Sequence, residues 1–149
     1  MTSIAPTFDC LCAGIIVADF VCAPVASVPQ AGGLEMTESI SLAIGGCASN
    51  VATDLVRIGR QAAIVGCVGQ DMPGRFVRDE LAAAGVDTKW LVETPALQTS
   101  STLVINVRGE DRRFIHTFGA NTAFDGSEIS PGLIRQARSL YVLEKAASR

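Results

Sequence analysis

Residues 45–50 of this chain have the types and the spacing that could hold a polar ligand: Gly45-Gly46-Cys47-Ala48-Ser49-Asn50. Two glycines allow a positive φ or a close approach of the backbone to a ligand. The amphipathic run that follows predicts a helix over 51–60, so free N–H groups and the positive end of its dipole would face the glycines. Asn50, in the first turn, can reach the same place. The pattern therefore predicts a site for a polyol or an anion, with an ordinary loop-to-helix junction as the alternative.

The carboxylate of Asp19 is a second candidate, because it follows a nearly continuous apolar run over 8–17. Such a run, rich in β-branched residues, predicts a strand buried on both faces of a sheet. Open α/β sheets place ligand contacts just beyond the carboxyl ends of their strands. Asp19 is therefore a candidate ligand residue, and a turn or capping residue is the alternative.

Hydrophobic periodicity along the rest of the chain predicts alternating strands and helices. Strands are expected over 20–26, 34–44, 61–68, 90–92, 101–107, 113–118 and 139–143, and helices over 51–60, from Asp71 to Gly85 and over 129–137. The segment 34–44 alternates apolar and polar residues, as a strand with one solvated face does. We therefore expect a small antiparallel flap between the first strand and the first helix of an α/β fold. Asp71 should cap its helix, with Pro73 near the first position.

Composition and charge exclude several classes of function. The chain has 149 residues, of which 48% are hydrophobic and 18% charged, as expected for one globular domain with a sizeable core. Its net charge is −3, and all twelve basic residues lie at or after Arg57 in ones and twos, which argues against a nucleic-acid partner. Asp19 interrupts the apolar segment 10–28 and no basic residue precedes it, which argues against a membrane span and a signal peptide. We expect a soluble, cytoplasmic protein.

Metal and nucleophile chemistry find little support in the sequence. The five cysteines form no C-x-x-C pair and His116 is the only histidine, so we predict no metal site and expect small buried thiols in a reducing compartment. No G-x-G-x-x-G follows the first strand and no G-x-x-x-x-G-K-[ST] occurs, which argues against dinucleotide binding and a P-loop nucleotidase.

Taken together, the spaced glycines and acids resemble the first signature of the PfkB (ribokinase-like) carbohydrate kinases. The matching positions are Gly14 and Asp19, residues 45–50, Gly59, residues 66–74 and residues 85–87. The resemblance implies an α/β, ribokinase-like fold: a Rossmann-like βαβ sandwich with a small β-sheet lid, incomplete at the C-terminus. Residues 1–149 would form the N-terminal part of one kinase domain, with lid segments at about 19–44 and 88–118.

The resemblance also implies roles for individual residues. Asp19 and Asn50 would bond sugar hydroxyls, and Gly45 and Gly46 would let the backbone close on the sugar. Glu144, at the end of the last predicted strand, is similar to a substrate-contacting acid of the family. Val17, Cys47 and Pro73 differ from residues that are common in ribokinases, so the resemblance leaves the sugar and the phosphorylated hydroxyl open.

The implied activity is ATP-dependent phosphorylation of a sugar hydroxyl. ATP and Mg²⁺ would be cofactors of the complete enzyme, and dependence on a monovalent cation stays open. The family's D-T-x-G-A-G-D stretch with the catalytic aspartate does not occur here, so we expect the catalytic residue beyond Arg149 and no activity of this chain alone. The alternatives are a non-catalytic sugar-binding or dimerisation remnant and a fragment of a nucleoside (adenosine-like) kinase. Related enzymes pair their lids, which implies a homodimer through the lid.

Overall fold

The computed structural model of the protein describes residues 6–143, which form two four-stranded sheets with helices beside them. The elements in chain order are β1 (Phe8–Ala13), β2 (Val17–Val25), β3 (Ile40–Gly45), α1 (Cys47–Arg57), β4 (Ala62–Gly69), α2 (Met72–Ala83), β5 (Asp87–Thr94), β6 (Ser101–Val107), β7 (Arg113–Thr117), a 3-10 helix (Gly119–Ala123), α3 (Pro131–Ile134) and β8 (Ala137–Val142). The central sheet has the order β5-β4-β1-β8 and the second sheet the order β3-β2-β6-β7. The predicted α/β class is confirmed.

The central sheet is parallel throughout and is buried on both faces in its middle strands. Every residue of β4 is buried. Side chains such as Cys12 and Ile64 pack on one face with residues of α1 and α2, whereas Leu11 and Val65 pack on the other face with Leu133 of α3. Burial on both faces explains why the sequence of these strands is continuously apolar rather than alternating.

The second sheet is mixed. Strand β2 pairs antiparallel with β3 and parallel with β6, and β6 and β7 form the predicted antiparallel hairpin. The expected strand over 8–17 ends at Ala13, because Gly14 adopts a φ of 132° and the chain turns into β2. The expected strand over 34–44 begins only at Ile40. Its ladder with β2 stops at Cys22, where β2 shifts register, and Leu34 is 85% exposed.

The range 88–118, predicted as a lid segment, divides between the two sheets. Strand β5 pairs with β4 in the central sheet, and the contribution of this range to the second sheet begins at β6. The first helix also differs from the prediction, since α1 begins at Cys47 with Gly46 as its N-cap. Asp71 caps α2 as predicted, with Pro73 in the first turn. Helix α3 is shorter than the range 129–137, because β8 takes the chain from Ala137 onward.

Candidate functional site

The chain crosses between the two sheets at closely packed turns that begin at the carboxyl ends of central strands. The turn after β1 lies against the start of α1, where the Ala48 N–H donates to the Ile15 carbonyl at 3.2 Å. Gly46 adopts a φ of 92°, and a Cβ placed on it would lie 2.9 Å from the Ile16 Cα. Only glycine fits this position without strain. The predicted glycine pair therefore joins two chain segments as well as beginning a helix.

Asp19 lies in β2 of the second sheet, not after the first central strand as predicted from the sequence. It is directly paired with Ala43 of β3, and its half-buried carboxylate leans over Gly45. A Cβ on Gly45 would lie 2.7 Å from the Asp19 Cγ, so the absence of a side chain there makes room for the carboxylate. Among residues 6–143 this carboxylate has no hydrogen-bond partner. The structure thus brings Asp19 and Gly45 together and leaves an acceptor open.

The start of α1 uses some of the donors that the sequence suggested for a ligand. The Ser49 hydroxyl donates to the Gly46 carbonyl at 3.0 Å and to the Gly45 carbonyl, and the Ala48 N–H is bonded to Ile15. Asn50 lies in the fourth helical position and is exposed. Its side chain lines a cleft of about 560 Å³ between β3, α1 and α2, whose described lining residues do not include Asp19.

Asn121 is a residue of this region that the sequence did not single out. It is 5% exposed, and its Nδ2 donates to the Ile16 carbonyl at 2.9 Å while its Oδ1 accepts from the Ile16 N–H at 3.2 Å. The pair of bonds fixes the turn from β1 into β2, three residues before Asp19. The segment 119–121 begins a 3-10 helix, which carries this pair of hydrogen bonds as a clamp on the turn.

The family model of the pfkB family carbohydrate kinases matches residues 7–147. The chain belongs to this family. The pfkB-family fold predicted from the sequence is therefore confirmed, with a central parallel sheet and a second, mixed sheet.

Individual members of the family are similar to this pfkB-family chain. Aminoimidazole riboside kinase of Salmonella typhimurium is 32% identical over 91 residues, which cover 58% of this chain and 28% of that protein. A fructokinase of Klebsiella pneumoniae is 36% identical over 69 residues, or 46% of this chain and 22% of that one. The solved structure of a Xylella fastidiosa fructokinase with bound ATP matches with a TM-score of 0.66 and 27% identity over 81% of this chain and 37% of that one. The chain thus spans well under half the length of these relatives.

A second polar junction of the pfkB-family chain holds the segment between β5 and β6. Asp71 accepts from Gly74 N at 2.9 Å, Thr99 N at 2.8 Å and Thr99 Oγ1 at 2.5 Å, and Thr99 Oγ1 accepts from Gly69 N at 2.9 Å. Burial alone would raise the pKa of Asp71, but these hydrogen bonds outweigh it and hold the pKa below its usual value. A charged acceptor therefore fixes the approach to β6.

A cavity of about 320 Å³ opens at the carboxyl ends of β1 and β8. Gly14, Asn121, Asp125 and Leu143 are among its lining residues. The Ser127 N–H donates to the Asp125 carboxylate and lowers its pKa. Glu144, the remaining predicted substrate residue, lies outside the described residues.

Metal ligands do not cluster in the part of the chain that the structure describes, where no group of three or more His, Cys, Asp or Glu could hold an ion. Cys10, Cys12 and Cys67 are buried as predicted, and burial, aided by neighbouring Cys10, raises the pKa of Cys12 to about 12. Cys47 is exposed, contrary to the prediction, because it occupies the first position of α1 beside the open glycine turn. Across residues 6–143, none of the helices has the length and apolar character needed to span a membrane.

Proposed function

We propose that the protein containing this chain transfers the γ-phosphoryl group of ATP to a hydroxyl of a small sugar. The hydroxyl oxygen forms a bond to the γ-phosphorus, the bond to the β-phosphate oxygen breaks, and ADP leaves. The hydroxyl proton passes to the catalytic aspartate of the family's second signature, which does not occur in these 149 residues. Family membership supports this proposal, and the related Xylella fructokinase was solved with bound ATP.

The observation that carries the proposal is the Asp19 carboxylate, which lies over Gly45 without a hydrogen-bond partner among residues 6–143. A carboxylate accepts hydrogen bonds only, and sugar hydroxyls can donate to both of its oxygens. We assign Asp19 to such hydroxyls and Gly45 and Gly46 to the close approach of the sugar to the backbone. Asn50 and Glu144 are proposed as further sugar contacts.

ATP and Mg²⁺ are the proposed cofactors, with the metal held mainly by phosphate oxygens because Mg²⁺ commonly binds through substrate phosphates and few carboxylates. A requirement for a monovalent cation stays a question for assay. The low aromatic content of the chain, 5%, favours a small sugar over a nucleoside, whose base needs apolar walls. A cytoplasmic location, where ATP is plentiful, is proposed with this activity.

We also propose that the second sheet acts as a lid and that two copies pair through it. Ile40, Leu103 and Ile115 are 68%, 48% and 62% exposed on the face of this sheet that is opposite to Asp19. Apolar residues exposed together commonly mark an interface. Light scattering of the complete protein should give twice the monomer mass, and a strict monomer at micromolar concentration would contradict the pairing.

The kinase proposal is tested with the complete protein from its native source, whose intact mass first establishes the length of the chain. ADP release is then measured with ATP and Mg²⁺ in the presence of fructose, ribose, 2-keto-3-deoxygluconate or adenosine. We expect turnover of a sugar, and we expect Asp19→Asn to raise KM or abolish turnover. Asp79→Asn, a charge change on the exposed side of α2, is the matched control. Turnover of adenosine alone would identify a nucleoside kinase, and no turnover of any compound would favour the non-catalytic remnant.

A further inference from the structure

We propose that the outer edge of β3, with the cleft beside it, is a docking site for an extended segment of another protein that carries a lysine or an arginine. The site consists of the β3 end of the second sheet and the faces of α1 and α2 that border the same cleft of about 560 Å³. The proposal does not depend on the sugar-kinase function, because none of the side chains that carry it is assigned to a substrate.

Two hydrogen bonds of β2 fix the direction in which the backbone groups of β3 point. The Ala23 N–H donates to the Ser39 carbonyl at 2.9 Å, in the same register as the β2–β3 ladder. The Ala18 N–H points the other way and donates to the Ser100 carbonyl, beside β6, at 2.9 Å. Because bonded and non-bonded pairs alternate along an antiparallel ladder, the backbone groups of β3 point away from β2 at residues 40, 42 and 44.

The outer edge of β3 is open and unprotected. Within residues 6–143, β3 ends its sheet and no other strand bonds to these outward groups. The strand Ile40–Gly45 contains no proline and no charged residue, and no bulge interrupts its ladder with β2. By contrast, the strands at the other three sheet ends, β5, β7 and β8, each carry at least one charged residue. Charges, prolines and bulges are what keep sheet edges from pairing, so the edge of β3 is a template to which an extended chain can add.

The cleft determines which side chain the docked segment needs. A residue placed directly beside Leu42 or Ile44 projects from the same face of the sheet as they do. That face packs against α1 and α2. The side chain therefore enters the cleft, which is also lined by Asp54 of α1 and by Phe76 and Glu80 of α2.

The charges in the cleft favour a cation. Asp54 is already paired with Arg57 at 3.2 Å, whereas the Glu80 side chain has no ion pair or hydrogen bond among residues 6–143. Phe76, one helical turn before Glu80, is partly buried against the core. A lysine or arginine of the docked segment can lay its apolar stem along Phe76 and place its charge on Glu80.

The same charge argues against a second copy of β3 as the occupant. A second β3 carries no basic residue, so pairing two copies edge to edge would leave Glu80 without a cation. The end strand β7 does carry Arg113, but a β7-to-β3 contact between copies is head to tail and continues into filaments unless the rotation closes. We therefore assign the edge to a strand of another protein.

The test uses the complete protein and a fluorescent peptide, Thr-Val-Thr-Arg-Thr-Val-Thr, whose residues favour a strand and whose arginine lies on one face. Two further peptides are N-methylated at every second amide, one at the odd and one at the even positions, because only one of these sets faces β3. A fourth peptide has glutamate in place of arginine. Fluorescence anisotropy measures binding to the wild type, to Glu80→Gln and to Asp79→Asn, the control on the exposed side of the same helix.

We expect the unmodified peptide to bind, one N-methylated peptide to bind equally well and the other to lose binding. Glu80→Gln should weaken binding about two- to fivefold, the effect of one partly exposed ion pair, and Asp79→Asn should leave it unchanged. The glutamate peptide should bind more weakly still, because its carboxylate repels Glu80.

Failure of the unmodified peptide to bind, or equal binding of the two N-methylated peptides, would overturn the proposal. An equal loss in Glu80→Gln and Asp79→Asn would overturn the assignment of the cation to the cleft. Light scattering of the protein alone is the remaining control. Assemblies that grow with concentration and are dissolved by the peptide would assign the edge to a second copy and overturn the proposal too.

Discussion

The two sheets of this chain differ in how completely their side chains are buried. In the central sheet, β1 and β4 are covered on both faces, and Leu11, Ile64 and Val65 are fully buried. In the second sheet, several apolar side chains are exposed, among them Ile40 at 68% and Ile115 at 62%. Asp19, whose carboxylate has no hydrogen-bond partner among residues 6–143, also lies in the second sheet. The comparison predicts that the central sheet contributes more to the folding free energy than the second sheet does, because it buries more apolar side chains.

The joining turns are built differently from either sheet. They combine glycines in close backbone contact with buried polar side chains, namely Gly46 against Ile16, Asn121 on Ile16 and Asp71 on Thr99. Hydrogen bonds to backbone groups fix direction better than apolar contacts, because they depend on angle as well as distance. The position of the second sheet relative to the central sheet therefore depends on a few polar side chains.

The sharpest test of the comparison is the same substitution in each sheet. Leu11→Ala should lower the free energy of unfolding by about 2–5 kcal/mol, because it leaves a cavity in a fully buried core. Leu103→Ala, at a site that is 48% exposed, should lower it by about 1 kcal/mol or less. Urea denaturation followed by circular dichroism measures both. Equal losses would show that the second sheet is as tightly packed as the central sheet.

Removing the Asn121 clamp on the turn between β1 and β2 should have the next largest effect on the free energy of unfolding. Asn121→Leu keeps the volume but leaves the buried N–H and C=O of Ile16 without a partner, which costs about 2 kcal/mol or more. Thr122→Ala is the matched control, since Thr122 lies in the same 3-10 helix and its hydroxyl donates to the Gly119 carbonyl of that helix at 2.8 Å. Thermal unfolding of the two variants measures the difference. A loss in Thr122→Ala as large as that in Asn121→Leu would show that the 3-10 helix matters and the clamp does not.

Much of this architecture could be predicted from local sequence. The apolar run of β4, the cap at Asp71 and the hairpin of β6 and β7 follow from periodicity and turn chemistry, and the structure has them near the expected positions. Their signals are local, because burial on both faces or a cap requires particular residue types within a few positions.

The predictions that the structure corrects share one physical cause. Pairing between segments that are distant along the chain leaves no signal in the local sequence. The apolar run over 8–17 contains both the end of β1 and the start of β2, and only Gly14 marks the change of sheet. Asn121 bonds to a residue 105 positions away, so its role is invisible along the chain. The pairing of Asp19 with Ala43 of β3 likewise follows only from strand register.

The smallest predicted effect concerns pH and the Asp71 junction. The pKa of Asp71 is lower in the folded chain than the unfolded value of about 3.9, so its contribution to stability is present above that value and is lost as the pH falls through the folded pKa. Asp71→Asn should therefore cost about 1 kcal/mol at pH 7, through a weaker cap and a weaker bond to Thr99. The cost should shrink as the pH falls below about 4, because the unfolded wild-type chain takes up a proton at Asp71 first and the folded chain takes one up at a lower pH. Asp79→Asn, on the exposed face of the same helix, should show no such convergence. Urea denaturation at pH 7 and at pH 3 measures both variants. If Asp71→Asn lowers the free energy of unfolding equally at both pH values, the charge of Asp71 does not stabilise the polar junction between β5 and β6.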